Sequence, residues 1–183
     1  MDTQTAIVLI VGMIIVAMVI SAIIKNRRSG ALKERFGPEY DHEVRERGRG
    51  RAEKELDRRA KRVEKLSIHP LPASDRDHFA QMWRSEQARF VDDPKAAVHE
   101  ADRLVEEVMR RRGYPMGDFE QRSADISVDH PRVVENYRAA HDIALRVEKG
   151  KAATEDLRQA MIHFRTLFED LLDDGMTPAP ARS

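Results

Sequence analysis

The sequence predicts an all-α protein: an N-terminal transmembrane helix, a charged helical stalk, and a small bundle of four to five amphipathic helices. Residues 6–24 form an uncharged apolar run, and the chain has 35% charged but only 5% aromatic residues, a composition typical of solvent-rich helices. Apolar residues recur at helical spacing further along the chain. We divide the chain into an anchor with a basic flank (1–28), a stalk (29–66), a bundle (67–175) and a disordered tail (176–183).

The apolar run is long enough to span a bilayer. Its nineteen residues, at about 1.5 Å of rise each, match a hydrocarbon core of about 30 Å. Lys25, Arg27 and Arg28 follow the run, whereas only Asp2 precedes it. The positive-inside rule therefore predicts an external N-terminus and a cytoplasmic C-terminal domain. A cleaved signal peptide, which would export the domain, requires a basic start and a shorter apolar core.

Residues 29–66 have the pattern of an exposed stalk. We expect a short helix to end at Gly37 because Pro38 disfavours helix in the residue before it. A second helix then runs towards Leu66, weakened at Gly48 and Gly50. Its apolar stripe is thin, with Arg59 at a position where a heptad would have an apolar residue. We therefore predict an exposed helix, or a weak coiled coil, rather than a domain.

After the linker at residues 67–72, helix signals become strong. Asp93 is predicted to cap a helix with Pro94 at its first position, and this helix ends in three consecutive arginines. Gly113 provides a left-handed C-cap, and Asp118 caps the next helix with Gln121 at the capping-box position. These amphipathic helices have to pack as a bundle to bury their apolar stripes.

We find no set of residues that predicts chemistry. The absence of cysteine excludes disulfides, thiol catalysis and Cys-ligated metal. No catalytic, cofactor-binding or metal-binding residue is assigned, since His-Glu-x-x-His is absent and Glu-x-x-His occurs only once, at Glu39–His42, whereas a di-iron bundle requires it on two helices. His141 and His163 lie near apolar stripes on different helices and are interpreted as core or boundary residues. We expect a protein that is not an enzyme and carries no cofactor.

Charge is divided unevenly along the chain. Residues 25–66 contain 15 Lys and Arg against 9 Asp and Glu, whereas residues 67–183 contain 17 against 22. Basic residues close to a bilayer attract anionic headgroups. Seven residues are candidates for headgroup contact: Lys25, Arg27, Arg28, Arg45, Arg47, Arg49 and Arg51. We expect no nucleic-acid partner because the distal domain is acidic and the basic segment lacks stacking aromatics.

A further candidate surface lies where two predicted helices meet. Arg110, Arg111, Arg112 and Tyr114 form it, and we interpret them as contacts for a protein partner or a second copy of the chain. The same stretch has a simpler interpretation as a joint between helices, because arginines stabilise the last turn of a helix through its dipole.

Five segments resemble a family of bacterial single-pass membrane-anchored helical proteins with no assigned function. The segments are LKERFGPEYD (32–41), RFVDDP (89–94), RGYPMGDFEQR (112–122), SVDHP (127–131) and TEDLRQAM (154–161). The resemblance implies a setting in the bacterial inner membrane and implies no activity.

The leading hypothesis is a single-pass membrane protein that holds a non-enzymatic interaction or scaffold domain at the membrane surface. The alternatives are a membrane-tethered helical bundle that binds a small ligand or metal, and a domain exported across the membrane.

Overall fold

The computed structural model describes residues 3–173, with side chains from residue 12 onward. This part of the chain is all-helical, as the sequence predicts, and contains eight helices and no strand. The predicted tail at 176–183 lies outside the described residues. The helices are α1 (Thr3–Phe36), α2 (Pro38–Arg47), α3 (Arg49–Val63), α4 (Ala73–Arg89), α5 (Pro94–Arg112), α6 (Phe119–Asp129), α7 (Val134–Glu148) and α8 (Thr154–Leu172).

Helix α1 is continuous over 34 residues. It contains the apolar run and extends through the basic flank to Phe36, so the short helix expected before Gly37 forms its last turns. Within the described residues, no helix has the combination of length and hydropathy that crossing a membrane requires. The first part of the predicted span, residues 6–11, has side chains that are not among those the structure describes. The membrane crossing therefore stays a prediction from the sequence.

Residues 29–66 differ from the predicted stalk. Gly37 and Gly48 have positive φ angles of 46° and 74°, and each ends a helix. The predicted second helix is therefore divided at Gly48 into α2 and α3, which pack on each other and on the end of α1, while α3 also packs on α6. Together they bury a core that a solvated stalk would not have, formed by Leu32, Phe36, Tyr40, Leu56, Ala60, Val63 and Val128.

Helices α4 to α8 form the predicted bundle. Helix α8 packs on both α5 and α7, while α4 covers α5 and α6 contacts α7. The core is apolar and includes Leu104, Val108, Phe164 and Leu167. Trp83, the single tryptophan of the chain, stacks on Phe168 with ring centroids 4.7 Å apart. Ile68 contacts this core and the core of α1 to α3, so the two apolar clusters meet at the linker.

The end of α5 attaches the linker to the bundle. The His69 amide donates to the Arg112 carbonyl at 2.9 Å, and Leu71 is buried in the bundle core. Gly113 has the predicted left-handed conformation, with φ of 96°. Asp118 caps α6 by accepting from the Gln121 amide at 2.8 Å. The stretch at 110–121 is thus a joint between helices that also docks the preceding linker.

Gly113→Ala should destabilise the fold by about 2–4 kcal/mol. A Cβ at Gly113 would collide with the Ser67 carbonyl oxygen and would also strain the left-handed backbone. Thermal unfolding of the full chain in detergent micelles, followed by the near-ultraviolet signal of Trp83, measures the effect.

Gly150→Ala is the matched control. Gly150 also has a positive φ, 65°, but no atom lies within 4 Å of its added Cβ. Only the backbone strain of about 1–2 kcal/mol is expected there. Equal losses for the two variants would contradict the docking of the linker against Gly113.

Candidate functional site

The seven basic residues proposed for headgroup contact are all exposed. We call them the basic collar: Lys25, Arg27, Arg28, Arg45, Arg47, Arg49 and Arg51. Three belong to α1, where the apolar run ends, and four flank the turn at Gly48 between α2 and α3. Although some twenty residues separate the two groups in sequence, the fold places them at one end of the helical domain.

A shared carboxylate brings the Gly48 turn to α1. Oε1 of buried Glu53 accepts from Tyr40 Oη and Arg49 Nε, each at 2.9 Å, and from Ser29 Oγ. Arg28 pairs with Asp57 at 2.8 Å, one turn further along α3. Helix α2 therefore runs back along α1, and the turn at 45–51 lies beside the start of the basic flank.

Much of the collar charge has no counterion. Arg28, Arg47 and Arg49 each pair with a carboxylate on α2 or α3 at 2.8–2.9 Å. Lys25, Arg27, Arg45 and Arg51 form no ion pair within the described part of the chain. Four cations thus remain available to an external anion.

The apolar part of α1 beside the collar is uncovered. Every residue from 12 to 24 is exposed, including Met13 at 69% and Ile24 at 61%. A helix that is apolar on all sides normally lies in a protein core or in a membrane. Here the same helix presents an uncovered apolar surface and, directly after it, a set of uncompensated cations.

A buried ion network holds the collar-bearing helices on the bundle. Arg59, only 4% exposed, donates to Glu39 at 2.8 Å, to Glu43 at 2.5 Å and to Ser127 of α6 at 3.4 Å. Arg138 of α7 binds both carboxylate oxygens of Glu39, each at 2.8 Å. The carboxylate of Glu39 therefore joins α2 to α3 and to the bundle.

Arg62 makes a second connection between these two parts. It pairs with Asp125 of α6 and donates to the Gln121 side chain at 2.9 Å. The Gln121 side chain in turn donates to Asp125 at 3.0 Å. Gln121 thus takes part in this connection instead of closing the predicted capping box.

The predicted partner surface at the end of α5 is divided by the fold. Arg112 is 1% exposed and donates to the Leu171 carbonyl at 2.6 Å, where α8 ends. Tyr114 is 3% exposed and donates to Asp129 at 2.9 Å. Both residues are therefore interior: the Tyr114 hydroxyl has its acceptor on α6, whereas Arg112 has an acceptor on α8 for one nitrogen and leaves two nitrogens without a partner. Arg110 and Arg111 remain at the surface, and their contact with a partner stays a prediction.

The two histidines noted in the sequence occupy separate environments. His141 stacks on Phe119 with centroids 3.6 Å apart, whereas His163 forms a 2.8 Å hydrogen bond with Asn136. Burial and the nearby charge of Arg122 lower the pKa of His141. No group of three or more potential metal ligands occurs within the residues described.

A polar cluster between α5, α6 and α7 surrounds Arg122. Its guanidinium pairs with Glu106 at 2.7 Å and donates to Tyr137 Oη at 3.1 Å. Burial, together with the charge of Glu106, raises the pKa of Asp102 to about 6. The cluster links three helices.

Sequence reasoning identified the collar residues but missed the residues that position them. Glu39, Glu53 and Arg138 have no distinctive spacing, since a charged residue on a helix is normally solvated. Arg59 gave the one available signal, because it interrupts the apolar stripe between Leu56 and Val63. An arginine at that position indicates either that the apolar stripe is broken or that the arginine is buried with a counterion. In the fold, Arg59 is buried and pairs with Glu39 and Glu43.

Glu39→Gln should destabilise the fold by about 2–4 kcal/mol at pH 7, because it leaves Arg59 and Arg138 without their shared charge. Burial acts to raise the pKa of Glu39, but Arg138 and Arg59 outweigh it and lower the pKa. The stabilisation from ionised Glu39 is therefore complete above the ordinary glutamate pKa of about 4.3 and is lost as the pH falls through the lowered folded value.

The measurement is the difference in unfolding free energy between wild type and variant across pH 7 to pH 3. The difference should shrink over the acidic part of this range. Glu155→Gln, which removes an exposed carboxylate paired with Arg158, is the control and should change stability little. If the two variants behaved alike, the network would not hold the domain together.

Comparison with protein-family models, with curated proteins and with solved structures gives no match for this chain. The resemblance to bacterial membrane-anchored proteins therefore stays a prediction from the five sequence segments, and no activity is transferred to the chain by similarity.

Proposed function

We propose that this protein is a single-pass membrane protein that holds a helical, non-enzymatic interaction domain close to the membrane surface. The observation that carries the proposal is the direct succession, on α1, of an exposed apolar surface and three residues of the basic collar, with the other four collar residues brought beside α1 by α2 and α3. Lipid is the covering that fits a helix apolar on all sides. Anionic headgroups fit the cations that follow, since each basic residue near such a surface contributes about 1 kcal/mol.

The proposed setting is the inner membrane of a bacterium, with the N-terminus outside and the helical domain in the cytoplasm. Lys25, Arg27 and Arg28 support this orientation through the positive-inside rule. The return of α2 adds Arg45 and Arg51 to the same side of the apolar run. A domain exported across the membrane would require this basic cluster to be translocated.

Interaction, rather than catalysis, is proposed as the role of the domain because the buried polar groups with the most bonds hold helices together. Arg59, Arg112 and Tyr114 all bond internally. The exposed arginines Arg110 and Arg111 remain candidate contacts for a protein partner or a second copy.

Deletion of residues 6–24 should transfer the chain from the alkali-resistant membrane fraction to the soluble fraction. The truncated protein should still bind vesicles that contain phosphatidylglycerol, in a salt-sensitive manner, and should not bind pure phosphatidylcholine vesicles. Replacing Arg45 and Arg51 by Gln should weaken this binding by about thirtyfold, because both arginines lack an ion pair and each contributes about 1 kcal/mol.

The matched control replaces Arg84 and Arg132, two exposed arginines on the bundle, by Gln. It removes the same charge away from the collar and should leave vesicle binding unchanged. Vesicle binding that fell equally in both double variants would show a general charge effect, and a full chain extracted by alkali would contradict the anchor.

Orientation is tested with a reporter fused after Ser183 that is active only in the cytoplasm. We expect activity from the intact chain. Activity only from a reporter that requires export would reverse the proposed topology and favour an exported domain.

A further inference from the structure

A groove lies between α1 and the beginning of α3, with a volume of about 940 Å³. One end is lined by apolar or small residues of α1, including Ala17, Ile20 and Ile24. The other end is lined by cations, namely Lys25, Arg28 and Lys54. The lining thus changes from apolar to cationic at the level where the apolar run of α1 ends.

The charge of the groove favours an anion. The carboxylate of Glu53 is occupied by Ser29, Tyr40 and Arg49, and that of Asp57 by Arg28 and Lys61. Lys25 and Lys54, in contrast, have no ion pair among the residues that the structure describes. Two ammonium groups on different helices therefore face a shared space without a counterion.

The backbone of α3 leaves room for a ligand in the apolar half of the groove. Gly50 lines the groove in the first turn of α3, one turn before Lys54, and no atom lies within 4 Å of a Cβ built on it. Because α1 and α3 run in parallel, with Arg28 paired to Asp57 and Arg35 to Glu64, Gly50 lies at the level of Ile20 and Ser21. The open side at Gly50 therefore gives an acyl chain space beside α3, while the two lysines remain for the anionic group.

We propose that this groove binds one anionic phospholipid, with its phosphate between Lys25 and Lys54 and an acyl chain along Ala17, Ile20 and Ile24. The inference rests on the proposed membrane anchoring and names the lipid class that the anchored protein selects. A soluble phosphate would use only the cationic end, whereas a phospholipid matches both ends. A second copy of α1, packed through Ala17 and Ser21, is the competing occupant.

The test uses the full chain in nanodiscs of phosphatidylcholine containing a minor fraction of photo-crosslinkable phosphatidylglycerol. The adducts are located by mass spectrometry of peptides. We expect them to concentrate on the segments around residues 17–28 and 50–57. Lys54→Gln should lower the adduct yield about fivefold by removing one ammonium group, and Ala17→Leu should lower it by filling the apolar end.

Two variants serve as matched controls. Lys65→Gln removes the same charge from the exposed turn that follows α3, and Ala22→Leu makes the same enlargement at an exposed position of α1 outside the groove. Both should retain the wild-type yield. The lipid site would be overturned if Lys54→Gln and Lys65→Gln lowered the adduct yield equally, or if adducts were spread evenly along α1. Either result would indicate nonspecific attraction of anionic lipid to the protein surface.

Three further outcomes separate the proposals. Crosslinks between two copies through Ala17 and Ser21 would assign the groove to a helix instead of a lipid. Retention of the chain in the nanodiscs without groove adducts would overturn the lipid site and leave the anchor intact. Failure of the chain to remain in the nanodiscs would overturn both.

Discussion

The arrangement of the molecule depends on the buried guanidinium of Arg59 and the carboxylates around it. Burying a guanidinium costs free energy unless its N–H groups find acceptors. Here Glu39 and Glu43 accept hydrogen bonds from two nitrogens of Arg59, and Arg138 of α7 donates to Glu39. The ion network therefore fixes which polar positions of α2 and α3 meet, beside the apolar core that these helices form with Phe36 and Leu56.

The network also accounts for the position of the basic collar. Because Glu39 and Glu43 lie on α2 and Arg59 lies on α3, their bonding requires the two helices to form a hairpin. The hairpin returns the Gly48 turn to the end of the apolar run, where Glu53 attaches it to Ser29 of α1. A surface of uncompensated cations thus results from buried ion pairs elsewhere in the same two helices.

The sequence was informative where local chemistry decides the structure. Gly113 at a helix end and Asp118 before a helix have local causes, and their predictions are confirmed. The predicted stalk was wrong because its burial depends on pairing between distant charges, which apolar periodicity does not register. Glu39 and Arg138 are 99 residues apart, and nothing in either local segment indicates the partner. Arg112 and Tyr114 were assigned to the surface for the same reason, since their acceptors lie on α8 and α6.

The continuity of α1 has a mechanical consequence. About 18 Å of unbroken helix separates Ile24 from Phe36, whose ring is fully buried among α2, α3 and α6. A tilt of the apolar end of α1 therefore moves the whole helix, including Phe36 in the core of the domain. Ser29 and Gly30, the most pliable pair along this length, adjoin the carboxylate of Glu53. The hydrogen bond from Ser29 to Glu53, together with the ion pairs Arg28–Asp57 and Arg35–Glu64, thus ties the orientation of the N-terminal helix to that of the domain.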